Sequence, residues 1–78
     1  MTYKTLSYIH NLLVNREYAL SQKVEELRKE FYNAEHLFDQ ELISRSELDT
    51  AETKYRDLDE EHRAVRSALQ EFEYKEWR

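Results

Sequence analysis

The sequence predicts an all-α fold, an antiparallel two-helix coiled-coil hairpin, and three observations predict it. None of its 78 residues is Gly or Pro, so tight turns lack their usual residues while long helices lose nothing. Two apolar series each step by three and four residues, the spacing of a heptad seam. Between the series, the segment "ISRSEL" carries the chemistry that starts a helix. With 37% charged and 40% hydrophobic residues, the composition is also that of long helices and coiled coils.

The first series is Leu20, Val24, Leu27, Phe31, Ala34 and Phe38, predicting a helix from about residue 5 to about 40. The second is Leu48, Ala51, Tyr55, Leu58, His62, Val65, Leu69 and Phe72, predicting a helix from about 45 to about 76. Each would be roughly 45 to 55 Å long at 1.5 Å per residue. The connection, about residues 41–44, is short enough to make the helices antiparallel neighbours within one domain spanning 1–78.

The start of the second helix is specified locally. Ser44 can accept the Glu47 amide while Glu47 reaches back to the Ser44 amide, forming a capping box. Ile43, just before the cap, can pack on Leu48 as a hydrophobic staple. The end of the first helix has no Gly, so a residue near Gln40 or Glu41 must take the left-handed conformation, costing about 1 kcal/mol.

Folding about this turn sets Phe38 against Leu48, Ala34 against Ala51, Phe31 against Tyr55, Leu27 against Leu58, Val24 against His62 and Leu20 against Val65. Every layer but one is apolar, and the small Ala34/Ala51 layer beside the large Phe31/Tyr55 layer specifies register by size. Acid-before-base pairs four apart, Glu25 with Lys29, Glu52 with Arg56, Asp59 with Arg63 and Glu71 with Lys75, add a few tenths of a kcal/mol each. Backward from Leu20 the seam falls on Glu17 and Leu13. The steps of three and four continue, so the seam passes through a polar residue at Glu17.

Upstream of Glu17, Leu6, Tyr8, Ile9, Leu12, Leu13 and Val14 cover more than the stripe one partner helix can bury. The facing end of the second helix carries Phe72, Tyr74 and Trp77. This excess marks the open end as a candidate interface, with Tyr8, Leu12, Tyr74 and Trp77 as its residues. Tyr3, Tyr8, Tyr18, Tyr32 and Tyr74 cannot all face one partner helix, and Tyr suits interfaces because it joins area to a polar tip. The outer face bearing Tyr32 is the alternative surface.

A chain of 78 residues buries a thin core unless something supports it. With no Cys, neither a disulfide nor a thiolate metal site can do so. Self-association into a four-helix bundle-like dimer is the expected support. A net charge of −5 disfavours nucleic acid and anionic lipid, which reward Lys and Arg. No apolar run approaches the roughly 20 residues of a membrane span, and no basic-then-apolar leader precedes "YIHNLLV". The expectation is a cytoplasmic protein without membrane or nucleic-acid partners.

His62 raises the one question of chemistry. Three residues after Asp59, it has the carboxylate–His spacing of helical di-metal bundles, and Glu17 and Glu61 fall within a turn of it. Such a bundle needs further inward carboxylates, which the surrounding leucine layers do not supply. The favoured reading is a polar core residue that sets register. His10 and His36 fall on other faces and are expected at solvent. Apart from Ser7, three residues before His10, none of Ser21, Ser44, Ser46 and Ser67 has a His at helical spacing to act as general base. Lys23, Arg28, Lys29, Arg63 and Arg66 are interleaved with acids, as on a solvated face. No catalytic residue, metal or cofactor is expected.

The segment "ELISRSELDTAETKYRDLDEEHRAV" resembles the tip and descending arm of the α-helical hairpins in periplasmic adaptor (membrane fusion) proteins of bacterial efflux and secretion systems. The resemblance covers about a third of the chain and implies hairpin geometry. Glu41 stands where that family commonly has Gly, and no β-rich segments flank the match. The expected function is that of a noncatalytic interaction or scaffold protein, an accessory subunit of bacterial or phage type. The alternatives are an antitoxin-like or anti-activator regulator that captures a partner helix at the open end, and, behind it, a di-metal enzyme assembled across a dimer.

Overall fold

A computed structural model describes residues 2–75, and they form two long helices, α1 (Tyr3–Asp39) and α2 (Arg45–Lys75), packed side by side as a hairpin. The rod measures 58 × 15 × 14 Å. Helix α1 begins two residues earlier than the seam alone suggests because Thr2 caps it. The Thr5 amide donates to Thr2 Oγ1 at 3.2 Å, and the Leu6 amide donates to the Thr2 carbonyl at 3.0 Å. A hydroxyl acceptor at this position satisfies one of the amides a helix start leaves without a partner.

The end of α1 shows how the chain turns without Gly. Glu41 has φ 61°, the left-handed region. Its amide donates to the Phe38 carbonyl and that of Leu42 to the Leu37 carbonyl, both at 2.9 Å. This pair of bonds is a Schellman motif, which usually places Gly where Glu41 stands. The carbonyls that the helix end exposes are thereby satisfied, at the conformational cost of a side chain in the left-handed region.

The start of α2 keeps the Ser44 cap and alters the return bond. The Glu47 amide donates to Ser44 Oγ at 3.2 Å, as expected, but the Glu47 carboxylate accepts from the Ser44 hydroxyl at 3.4 Å instead of from its amide. Ile43 is half-buried and Leu48 is buried, the environment a staple requires. Across the turn, the Arg45 guanidinium lies 5.7 Å from the centre of the Phe38 ring and pairs with Asp49 at 3.3 Å. A cation over an exposed ring adds about 0.5 to 1 kcal/mol.

Two substitutions at this turn are expected to act in opposite directions. Ser44→Ala should cost about 1 kcal/mol by removing the cap. Glu41→Gly should stabilise by about 0.5 to 1 kcal/mol, the relief of left-handed strain exceeding the added freedom of the unfolded chain. Urea denaturation measures both; stabilities unchanged in both variants would mean that these contacts do not set the turn.

The seam buries little. Among the described residues the buried apolar side chains are Ala34 and Leu48, each 8% exposed, and no large side chain is fully enclosed. Phe31 and Tyr55 stack at 5.8 Å between ring centres, the layer expected from the turn register. Of the four anticipated acid–base pairs, Glu52 with Arg56, Asp59 with Arg63 and Glu71 with Lys75 form, while Glu25 takes Arg28 in place of Lys29.

Candidate functional site

The most enclosed polar group is His62, 5% exposed at the seam of α2. Its Nε2 lies 2.8 Å from Glu17 Oε1 on α1. The partner is thus two turns nearer the open end than Val24, which a uniform register sets opposite His62. A buried imidazole requires a polar partner, and Val24 can offer none. Glu17 is the polar position of the α1 seam, three residues before Leu20, so the polar seam residues of the two helices meet in one contact. No buried side-chain polar atom among the described residues lacks a partner.

Charged pairs flank this contact on both sides of the seam. Arg16 pairs with Glu61 on one edge, and His10 Nε2 lies 2.8 Å from Glu73 on the other. The His10 ring also stacks on Phe72 at 6.1 Å. With its side chain only 19% exposed, His10 is a seam residue, three residues before Leu13 in the heptad series, which corrects the expectation that it lies at solvent. His36 is exposed, beside Gln40. No three His, Cys, Asp or Glu side chains among the described residues converge on a point that could hold a metal ion.

Elsewhere the electrostatics are those of surface pairs. The hydrogen bond and charge of Glu25 raise the Arg28 guanidinium above its ordinary value. A hydrogen bond from Lys75, with its charge, holds the Glu71 carboxyl below the usual carboxylate range. An open depression along α2 is lined by Ser46, Asp49, Thr50 and Thr53 from the same helix. Nothing from α1 faces it.

The interface residues read from the sequence are exposed but separate. Tyr8 is 65%, Leu12 52% and Tyr74 67% exposed; Trp77 lies outside the described residues. Tyr8 and Leu12 share a helical row with Arg16, which marks one edge of the seam. Tyr74 follows Glu73, which marks the other edge, and points a further 100° round α2. The geometry therefore distributes these side chains over two faces. A second exposed set is Val14, Tyr18 and Tyr32, legible in the sequence as part of the open-end apolar excess, as surplus tyrosines and as the Tyr32 face, though not as one group.

Compared with known protein families, with curated proteins and with solved structures, the chain matches none. What the adaptor-like tip contributes is hairpin geometry, which the two packed helices show. No helix among the described residues is long and apolar enough to cross a membrane.

Proposed function

We propose that this chain is a small noncatalytic interaction or scaffold protein that works by self-association and partner binding, its hairpins pairing into a four-helix assembly. The observation that carries this reading is the imbalance of the apolar surface. The hairpin encloses no large side chain completely, yet leaves Tyr3, Tyr8, Leu12, Val14, Tyr18, Tyr32, Leu42 and Tyr74 exposed. Burying a large apolar side chain contributes about 1.5 to 3 kcal/mol, against about 1.5 kcal/mol of ordering entropy per residue. Two helices sharing one half-buried seam are marginal alone, and a second copy supplies the missing cover.

Light scattering at tens of micromolar tests this reading, with a mass of at least two chains expected and a single-chain mass overturning it. The regulator reading draws on the exposure of Tyr8 and Leu12 near the open end, where a partner helix could lie. It requires one dominant heterologous partner at stoichiometric ratio with the purified chain, and Leu12→Glu should release that partner.

A further inference from the structure

The edge of α1 away from Tyr8, Leu12 and Arg16 carries a second stripe of heptad spacing. It runs Val14, Tyr18, Ser21, Glu25, Arg28 and Tyr32, in steps of four and three, so these side chains follow one line along the helix. Val14, Tyr18 and Tyr32 are 38%, 65% and 56% exposed, and the other three are half-buried at the margin of the seam. The hairpin partner does not cover this line.

We propose that this edge is the self-association surface, and that its occupant is the same edge of a second copy, running antiparallel about a two-fold axis level with Lys23. The inference rests on the self-association reading and specifies its surface and partner. Its basis is self-complementarity, the condition a two-fold interface imposes. Such an axis sets Val14 against Tyr32 of the second copy, Tyr18 against Arg28, and Ser21 against Glu25. Each contact is favourable in kind: apolar with apolar, an aromatic face with a guanidinium, and a hydroxyl with a carboxylate.

The same axis brings the start of α1 in one copy beside the turn of the other, where Tyr3 and Leu42 are 75% and 67% exposed. These two apolar side chains, remote from each other in one hairpin, become neighbours in the pair. Within one hairpin Glu25 and Arg28 pair with each other, and a parallel arrangement brings two such pairs level, Glu25 beside Glu25 and Arg28 beside Arg28, whereas the antiparallel one sets each against an uncharged residue of the second copy. The order of polar and apolar residues along the stripe thus favours a second copy running antiparallel.

The test combines sedimentation with a distance measurement. The chain has no Cys, so Gln40→Cys provides a unique site for a spin label just beyond α1. An antiparallel pair centred at Lys23 separates the two labels by about 50 Å along the axis at 1.5 Å per residue. A parallel pair holds them within roughly 20 Å, the spacing of adjacent helices plus the label arms. Tyr18→Glu and Tyr32→Glu should each weaken dimerisation roughly thirtyfold or more, the usual effect of losing an aromatic anchor, while Leu12→Glu leaves it unchanged.

A dimer with the short separation, or one broken by Leu12→Glu and not by Tyr18→Glu, overturns this surface and leaves self-association standing. A parent chain that stays monomeric overturns both. Circular dichroism accompanies each variant. If Tyr18→Glu loses helix, the label separation, taken with Tyr18 intact, decides the question.

Discussion

Leu48→Ala is expected to lower stability by about 3 kcal/mol, the largest effect of any single truncation in this chain. Leu48 is the most enclosed large apolar side chain, 8% exposed, and buried Leu→Ala changes cost about 2 to 5 kcal/mol through lost transfer energy and the cavity left behind. It also sits in the first turn of α2, where Ile43 needs it as a staple. For a small domain such a loss is a large fraction of total stability. Urea denaturation at fixed chain concentration measures it. A loss below about 1 kcal/mol would mean that the turn end does not hold the seam together.

The buried pair should respond asymmetrically. Glu17→Ala is expected to cost about 2 kcal/mol, because the His62 side chain, 6% exposed, is left without a partner and out of reach of water. His62→Leu keeps the volume and leaves Glu17, whose side chain is 27% exposed, able to hydrate. That change should stay within about 1 kcal/mol, and the doubly apolar Glu17→Leu, His62→Leu chain should match or exceed the parent, as buried polar pairs replaced by packed apolar groups often do. A double-mutant cycle in urea reads all three. Equal losses for the two single changes would contradict this account of the contact.

These contacts also show how far the residue pattern carries. The two helices, the Ser44 cap and the Phe31/Tyr55 layer follow from local spacing and capping chemistry, each decided within a few neighbours. The left-handed turn at Glu41 follows too, since a helix ending without Gly must strain some residue nearby. What a uniform turn register misses is which seam residues meet. His62 takes Glu17 as its hydrogen-bond partner where that register sets Val24 opposite, and His10 meets Phe72 and Glu73 across the seam. Glu25 takes Arg28 one residue short of the expected Lys29, a choice between two bases of similar reach that sequence spacing does not separate.

The candidate interface residues are partly legible for the same reason. Exposure of Tyr8, Leu12 and Tyr74 follows from their distance from the heptad seam. Whether they share a face depends on the rotation of each helix about its own axis, which the flanking pairs Arg16 with Glu61 and His10 with Glu73 settle only once the helices are packed. Tyr18 and Tyr32, noticed in the sequence as surplus tyrosines, fall on one line with Ser21, Glu25 and Arg28 between them. The self-complementary order of that line becomes apparent when the seam is known to leave it open.

The central proposal, that a second copy supplies the cover a lone hairpin lacks, is tested most directly by the dependence of the thermal midpoint on chain concentration. If folding and pairing are linked, a hundredfold increase in concentration adds about 2.7 kcal/mol to stability by mass action. At the usual sensitivity of a domain this size, that raises the midpoint by on the order of 10 °C. A midpoint that stays constant over the same range, with a single-chain mass throughout, would contradict it.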